Sequence, residues 1–402
     1  MNFDIQVEIL KRFPVKSLIR FRSVCKAWKS KIDTSPFIAD HNNVSHDRSE
    51  HLMIRYEVET MTESEEVKYV CYVDDDSFPQ IKFAPPVPPI LLSFHGSCII
   101  GSSCGLVCLG GSVPQPDNSK THMVVLWNPS IRKSVAIVVP NDESPSLFPF
   151  VGFGVCPETK DPMLLKISSY NDVENPCQVM VFTLSSREWR CLSSNQLPRK
   201  LLEFNSYSQA VIGRLLYCLA FDGESYLIWS FDFSTDEFGE VSLPDSLHKP
   251  YLYISKLMES LVLIDYDRGY TTAIQVCDVW MMMEDGQFTK LFTVKNASVV
   301  RILGFNKTGE PVVKFKIPAD LNSALLGVYE PGSEHIKDLG ICRTGFCFSM
   351  CSYNESLLLL DQDDGCIEIN LSQLNGNGNI GFEMIIPLVH LVFAETASLA
   401  IL

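Results

Sequence analysis

The chain has 402 residues, of which 46% are hydrophobic and 20% charged, and its formal net charge at pH 7 is −15. This length suffices for a small module and one large domain with a substantial core. Because so acidic a chain repels phosphate groups, the composition argues against nucleic acid as a partner.

The charge is unevenly distributed along the chain. Residues 1–40 carry eight Lys or Arg and four Asp or Glu, which gives this segment a net charge of +4 and leaves −19 for the remainder. We therefore expect a basic N-terminal module that suits an acidic partner, joined to an acidic body.

The N-terminal segment and the cysteines indicate the cellular compartment. Asp4, Glu8, Lys11 and Arg12 interrupt what would otherwise be an apolar secretory stretch, so the fourteen Cys are expected to be reduced, in the cytoplasm or the nucleus. The apolar stretch 384–394 is too short to span a bilayer, which argues against a membrane protein and favours a buried terminal strand or helix.

Three short amphipathic helices are predicted at the start of the chain. Pro14 suits the first turn of the second helix, Ser23 is expected to cap the third, and Pro36 lies just beyond its end. Segments so short bury too little apolar surface to offset chain entropy, so they should dock on a partner. The apolar residues that recur at helical spacing are Ile5, Ile9 and Leu10, then Val15, Leu18 and Ile19, then Val24, Ala27, Trp28 and Ile32.

The run Glu8–Leu18, which reads Glu-Ile-Leu-Lys-Arg-Phe-Pro-Val-Lys-Ser-Leu, is followed at Arg20–Trp28 by Arg-Phe-Arg-Ser-Val-Cys-Lys-Ala-Trp. Together they resemble the F-box, the module by which ubiquitin-ligase receptors bind a Skp-type adaptor. The family usually begins with Leu-Pro, where this chain has Met1-Asn2. The resemblance implies an adaptor-binding set that consists of Ile9, Leu10, Phe13, Pro14, Val15, Leu18, Phe21, Val24, Cys25 and Trp28.

The rest of the chain contains an internal repeat. Aromatic anchors follow one another at intervals of 55, 49, 49 and 49 residues, and each is followed seven or eight positions later by a second apolar residue. Turn-forming residues separate the two, so each unit should contain a β-hairpin. The anchor pairs are Trp127 and Val135, Phe182 and Trp189, Phe231 and Phe238, Trp280 and Phe288, and Tyr329 and Ile336.

An apolar run precedes each hairpin, at 105–108, 163–165, 215–217, 261–263 and 312–315, and a sixth run lies at 357–359. Strand-rich units of about fifty residues predict a β-propeller-like domain of about six blades over 96–402, with the anchors packed between adjacent sheets. The sixth unit has no aromatic anchor. In the transition 41–95, strands at 51–57 and 67–73 are candidates to complete its sheet and close the ring.

This body resembles the F-box-associated domain of the large plant F-box family. The residues that carry the resemblance are Gly101–Cys108, Trp127–Arg132 and Val151–Gly154. The domain is similar in style to kelch propellers, but paired glycines occur only at Gly110-Gly111. The resemblance implies a mainly β fold with a small N-terminal α module, residues 1–40.

No catalytic residues, metal ligands or cofactor site are expected. Gly376–Gly381 fits a dinucleotide fingerprint formally, but no βαβ unit surrounds it, so a surface turn is the preferred interpretation. Cys98, Cys104 and Cys108 lack the further ligands of a zinc site and are expected to pack in strands. Acidic runs at 74–76 and 363–364 are interpreted as solvated turns.

The leading hypothesis is therefore a non-catalytic substrate receptor of an SCF-type (Skp–cullin–F-box) ubiquitin ligase, with a Skp-type adaptor, a cullin scaffold and an unidentified target protein as partners. The alternatives are a ligase-independent scaffold or decoy, and a propeller enzyme with a helical extension, which would need clustered carboxylates or His at the ring axis. Target recognition is expected in irregular loops. The candidates are 114–120, 169–176, 195–205 and 248–253.

Overall fold

Four short helices open the chain in the computed structural model. They are α1 (Phe3–Leu10), α2 (Val15–Phe21), α3 (Lys26–Ile32) and α4 (Ser35–Val44). The described residues all lie in one unit, Met1–Ile369, and a second unit, Asn370–Leu402, lies outside them. The structure describes residues 3–44, 50–59, 65–115, 120–140, 149–169, 177–192, 203–247, 252–267, 276–284, 286–296, 298–317, 320–344, 348–362 and 365–367.

The helix boundaries differ from the predicted ones at two points. The expected cap Ser23 lies in the turn after α2, where its hydroxyl donates to the Arg20 carbonyl at 2.6 Å. The cap of α3 is Cys25, whose Sγ accepts a hydrogen bond from the Trp28 backbone N–H at 3.4 Å. Pro36 lies beyond the end of α3, as predicted, but it also lies in the first turn of a fourth helix, α4, that was not predicted; a missing N–H costs nothing there.

The described strands form six sheets. Five of them are built on four consecutive antiparallel strands, and we number these blades 1 to 5 in chain order. Blades 1 and 2 comprise β4 (His95–Ser103), β5 (Leu106–Pro114), β6 (Lys120–Asn128), β7 (Lys133–Val138), β8 (Phe150–Val155), β9 (Pro162–Ser169), β10 (Cys177–Thr183) and β11 (Glu188–Leu192). Blades 3 to 5 comprise β12 (Glu203–Ile212), β13 (Leu215–Phe221), β14 (Tyr226–Asp232), β15 (Phe238–Val241), β16 (Leu252–Leu257), β17 (Ser260–Asp267), β18 (Val276–Met282), β19 (Phe288–Val294), β20 (Val299–Phe305), β21 (Pro311–Ile317), β22 (Asp320–Glu330) and β23 (His335–Thr344).

Blade 6 combines two distant parts of the chain. Its strand order is β24 (Phe348–Asn354), β1 (Glu50–Glu59), β2 (Glu65–Val73) and β3 (Lys82–Phe83). The segments 51–57 and 67–73 lie in β1 and β2, and Met53 of β1 is paired with Cys351 on one side and Cys71 on the other. A last strand, β25 (Gly365–Ile367), adds to blade 1 in parallel with β7. The innermost strand of each blade contacts those of its neighbours, so the six sheets form a ring. The predicted mainly β fold with about six blades is confirmed.

The aromatic anchors lie on the third strand of blades 1 to 5, and their partners lie on the fourth. Phe182 is paired with Trp189, Phe231 with Phe238, and other anchors lie in the corresponding hairpins. The predicted hairpins are therefore confirmed. Each brings two large apolar side chains to one part of a sheet, which the neighbouring sheet then covers.

The core consists of clusters between adjacent blades. Phe231 of blade 3 is buried with Val181 of blade 2, and Tyr329 of blade 5 is buried with Val279 of blade 4. Trp127 of blade 1 packs edge to face on Tyr69 of blade 6, with ring centroids 5.7 Å apart. These contacts confirm the prediction that the anchors pack between sheets, and they explain why no blade would be stable alone.

The sixth apolar run does not lie in a strand, unlike the apolar runs of the other units. Leu357–Leu359 forms a buried turn after β24, and Leu359 adopts a left-handed backbone conformation with φ of 72°. We call residues 355–362 the closing segment. Its carbonyls bind the Asn128 side chain of blade 1 instead of a neighbouring strand. A run of leucines can form a buried turn as well as a strand when side chains make hydrogen bonds to its backbone carbonyls.

A buried carboxylate joins blades 5 and 6. The interpretation of 74–76 as a solvated turn is therefore wrong for Asp74, which is 3% exposed. Asp74 follows β2, and its Oδ2 accepts a hydrogen bond from the Lys307 backbone N–H, in the β20–β21 turn, at 2.8 Å. Burial raises the pKa of Asp74 from 3.8 to about 6, against the opposing effect of this hydrogen bond. The folded protein therefore binds a proton here more tightly than the unfolded chain does.

We expect Asp74 to make the fold less stable as the pH rises from about 4 to about 6, because a pKa raised by folding favours the protonated state. Between pH 5.0 and 7.5, the free energy of unfolding of the wild type should fall by about 1–2 kcal/mol relative to that of Asp74→Asn. Urea unfolding at both pH values measures this. The control is Asp75→Asn, since hydrogen bonds from Ser77 lower the pKa of Asp75 and keep it charged over this range. Equal pH dependence of the wild type and Asp74→Asn would contradict the assignment.

Candidate functional site

Exposed apolar side chains concentrate on the N-terminal helices. Ile5, Ile9 and Val24 are 53%, 43% and 62% exposed, and Phe3 and Phe13 are also open to solvent. They lie within 22 residues of one another, on a module of only four short helices. A cluster of exposed apolar side chains marks an interaction surface more often than chance exposure.

Helix α1 presents apolar residues on two opposite sides. Val7 and Leu10 are buried, whereas Ile5 and Ile9 face outward. The expectation that Ile5, Ile9 and Leu10 share one face is therefore wrong for Leu10, which lies about 100° further round the helix than Ile9. The outward pair borders a shallow groove of about 370 Å³ that is also lined by Asp4, Glu8 and Arg12.

A row of three aromatic side chains crosses from α1 to α3. Phe13 packs edge to face on Phe21 with ring centroids 5.1 Å apart, and Phe21 packs on Trp28 at 5.6 Å. The Trp28 Nε1–H donates to the Gln6 side-chain oxygen at 3.0 Å, which fixes the indole against α1. Each ring is thus positioned by its neighbours while part of its surface stays accessible.

The ten residues of the expected adaptor-binding set fall into three groups. Leu10, Val15 and Leu18 are buried within the chain itself, and Phe21 and Trp28 are half-buried. The remaining five are exposed, namely Ile9, Phe13, Pro14, Val24 and Cys25. Ile5 was not in the set, although its position four residues before Ile9 would have placed it on the same outward face.

Ion pairs and hydrogen bonds hold the helices in this arrangement. Arg22 makes two parallel bonds to the Asp33 carboxylate, at 2.5 and 2.9 Å, which join α2 to the end of α3. Lys11 pairs with Asp40 of α4 at 2.8 Å and with Glu8 at 2.7 Å, and these two carboxylates raise the pKa of the Lys11 ammonium. Bidentate and paired contacts of this kind restrict the relative motion of the helices.

The helices contact the ring through the closing segment. Ser35, at the start of α4, donates to the Asp361 carboxylate at 2.8 Å. The next residue, Gln362, accepts hydrogen bonds from Lys133 of blade 1 at 3.0 Å and from Arg187 of blade 2 at 3.2 Å. The closing segment therefore links the helical module to two blades, and the exposed residues of α1 and α3 stay uncovered in the described structure.

A second concave region is the axial cavity, which has a volume of about 220 Å³. It is lined by the innermost strands of all six blades, and the charged residues among those that line it are Lys256 and Arg301. In the described part of the chain no Asp, Glu or His lines this cavity. It therefore lacks, over those residues, the clustered carboxylates or His that a propeller enzyme would need.

The predicted cysteine group is distributed between two environments. Cys98 and Cys108 lie in β4 and β5, where burial raises the pKa of both thiols, while Cys104 lies in an exposed turn rather than a strand. Thiols with a raised pKa stay protonated and unreactive. Within the described ranges, no three His, Cys, Asp or Glu side chains are arranged to hold a metal ion.

Several expectations concern residues outside the described ones. These are the glycine-rich run 376–381, the apolar stretch 384–394, the acidic pair 363–364 and most of the four candidate recognition loops. Among the helices that the structure describes, none combines the length and the apolar character required to cross a membrane.

Comparison with known proteins agrees with this architecture. An F-box domain model matches residues 1–40, and a model of the F-box associated beta propeller domain matches residues 117–358, more than half of the chain. The chain therefore belongs to the family of proteins with an F-box associated beta propeller domain. The predicted resemblance to plant F-box proteins is confirmed.

Two curated relatives from Arabidopsis thaliana are similar along most of their length. The F-box protein CPR1 is 25% identical over 402 aligned residues, which cover 90% of this chain and 88% of the relative. The F-box/kelch-repeat protein At3g23880 is 23% identical, over 73% of this chain and 79% of the relative.

Proposed function

We propose that this chain is the substrate-receptor subunit of an SCF-type E3 ubiquitin ligase. The F-box helices bind a Skp-type adaptor and through it a cullin scaffold, while the propeller captures a target protein for ubiquitination and degradation. The observation that carries the proposal is the open apolar surface around Ile9 and Val24, on a module whose contacts to the ring lie elsewhere, at Ser35. Such a surface is stabilised when another protein covers it.

The adaptor contacts are assigned by exposure. Ile9, Phe13, Pro14, Val24 and Cys25 contact the adaptor directly, and Ile5 extends the surface along α1. The half-buried rings of Phe21 and Trp28 border it. The buried residues Leu10, Val15 and Leu18 act indirectly, because they hold the helices in place.

The mechanism is proximity rather than bond chemistry. A receptor that holds a target beside a charged ubiquitin-conjugating enzyme raises the effective concentration of the target's lysines. Hydrogen bonds between the helices and the ring, such as that from Ser35 to Asp361, help to keep the effective concentration high. They limit how far the captured target can move from the adaptor.

Replacing Ile9 and Val24 together with Asp should weaken adaptor binding at least about hundredfold, because two buried apolar anchors typically contribute about 2 kcal/mol or more each. The dissociation constant is measured by biolayer interferometry with a purified Skp-type adaptor. Both side chains are exposed, so the helical circular dichroism signal should be unchanged. The matched control is Phe83→Asp, an exposed apolar residue on β3 of the ring, which should bind like the wild type. Equal affinity of the double variant and the control would refute the adaptor-binding proposal.

Immunoprecipitation of the full chain under proteasome inhibition addresses the later steps. We expect cullin and ubiquitylated proteins to accompany the wild type and to be lost from the Ile9 and Val24 double variant. Adaptor without cullin would instead indicate a ligase-independent scaffold or decoy.

A further inference from the structure

The axial cavity carries one cationic group with no ion-pair partner. Of its two charged lining residues, Lys256 is paired with Glu259 at 2.8 Å. Arg301 makes no hydrogen bond or ion pair from its side chain to any residue that the structure describes. A half-buried guanidinium without a counter-ion is costly, and its cost is offset when an anion binds to it.

The position of Arg301 is fixed by an aromatic ring. Its guanidinium carbon lies 4.8 Å from the centroid of Tyr253, which comes from the innermost strand of blade 4. Stacking occupies the face of the guanidinium and leaves the N–H groups at its edge available. That edge is the fork which binds a carboxylate or a phosphate through two parallel hydrogen bonds.

The described lining of the cavity carries positive charge and no negative charge. Its charged side chains are Lys256, which is paired, and Arg301, and no carboxylate among the described residues lines the cavity. In a chain with a net charge of −15, this lining differs in sign from the protein as a whole, and its low-dielectric walls strengthen the attraction of an anion.

This end of the cavity faces away from the helices. Arg301, Tyr253 and Phe348 lie near the first residues of their strands, whereas the helices contact the closing segment, which follows the last residue of an equivalent innermost strand. The described helices therefore do not cover the end of the cavity beside Arg301. A cavity of about 220 Å³ admits a side chain but not a folded domain.

We propose that Arg301, stacked on Tyr253, is an oxyanion site that binds an acidic or phosphorylated side chain of the target protein at the mouth of the axial cavity. This inference rests on the proposed function as a substrate receptor. It deepens that function by naming the chemical class of the group that is recognised.

The test uses the full chain bound to its Skp-type adaptor and three fluorescein-labelled peptide pools. The pools share degenerate uncharged flanks and differ only at the centre, which is Ser, Glu or phosphoserine. Fluorescence polarisation should show at least about tenfold tighter binding of the Glu or the phosphoserine pool than of the Ser pool. Arg301→Gln should remove the difference. Arg301→Lys keeps the charge but loses the fork, so it should retain only part of it.

The matched control is Lys256→Gln, which removes the other cation of the cavity but one that is already paired. It should leave the preference for the anionic pools within about twofold of the wild type. The inference is overturned if Arg301→Gln binds the pools like the wild type, or if no pool binds more tightly than the Ser pool. Competition by inorganic phosphate at the same free concentration as the phosphoserine pool would overturn the target side chain as the occupant.

The result of the peptide-binding test can be distinguished from a failure of the proposed receptor function. Adaptor affinity is measured on the same preparation, and it should be unchanged by Arg301→Gln because the helices lie at the other end of the ring. Loss of peptide discrimination with normal adaptor binding concerns the oxyanion site alone, and failure of the wild type to bind adaptor rejects the receptor assignment itself.

Discussion

Replacing Asn128 with Ala should lower the free energy of unfolding by about 3–5 kcal/mol. The Asn128 amide nitrogen donates to the carbonyls of Ser356 and Leu358 at 3.0 and 2.8 Å, and its oxygen accepts from the Ser130 backbone N–H at 3.0 Å. The side chain is fully buried, so Ala leaves these groups without partners and away from water. Each buried group left unpaired costs about 1–3 kcal/mol. Urea unfolding followed by tryptophan fluorescence measures the change.

The control for this experiment is Ser130→Ala, two residues further along the same turn. Its hydroxyl is buried and has no hydrogen-bond partner among the described residues, so its removal should change stability by no more than about 0.5 kcal/mol. Similar midpoints for the two variants would show that Asn128 does not hold the closing segment.

Gly105→Ala is expected to destabilise the ring by about 2–5 kcal/mol. Gly105 has φ of 82°, where an L-residue costs about 1–2 kcal/mol. An added Cβ would also collide with the Asn354 carbonyl oxygen and would lie 2.6 Å from Cβ of Ser356. These obstacles include backbone, so overpacking adds about 1–3 kcal/mol. The melting temperature and the urea midpoint report the loss.

Gly96→Ala separates the two contributions to this effect. Gly96 lies in β4 with φ of 63°, and nothing lies within 4 Å of its added Cβ. The free energy of unfolding of Gly96→Ala should therefore fall only by the conformational cost, about 1–2 kcal/mol. If Gly105→Ala costs no more than Gly96→Ala, the close approach of the closing segment is not required for stability.

These two positions assign a physical role to motifs that the sequence identified only by resemblance. Gly105 belongs to the Gly101–Cys108 motif, and Asn128 belongs to the Trp127–Arg132 motif. Both contact the closing segment or the strand before it. In this chain the motifs hold the first blade against the last one, which is a structural requirement of a closed ring and not a property of a binding site.

The hairpins of blades 1 to 5 could be predicted because each depends on residues close together in sequence. Phe182 and Trp189, for example, are seven positions apart and directly paired. The use of strands at 51–57 and 67–73 to complete blade 6 was also predicted, and it is confirmed. The register of that blade could not be predicted, because Met53 and Cys351 are almost 300 residues apart and apolar spacing contains no information about their pairing. For the same reason the run at 357–359 could not be distinguished from a strand, since its partner is one distant amide side chain.

The sequence could predict that the helical module carries apolar residues at regular spacing, but not which of them are exposed. A helix that packs on its own module and also on a partner has apolar residues on both sides, and spacing alone cannot say which side faces inward. Leu10 and Ile9 are adjacent in sequence, yet Leu10 is 2% exposed and Ile9 is 43% exposed. Arg301 could not be identified from the sequence. Its importance depends on which side chains lie near it in the fold, among them the Tyr253 ring from another blade.

The composite sixth blade affects the order of events during synthesis. Strands β1 to β3 leave the ribosome early, but β24, which β1 must pair with, begins at residue 348. At about 5–20 residues per second, translation takes on the order of tens of seconds to reach it. During this interval the edge of β1 is unpaired and needs protection from aggregation. The nascent helices, by contrast, are complete long before the ring closes, so an adaptor that engages them cotranslationally would meet the receptor before its target-binding half exists.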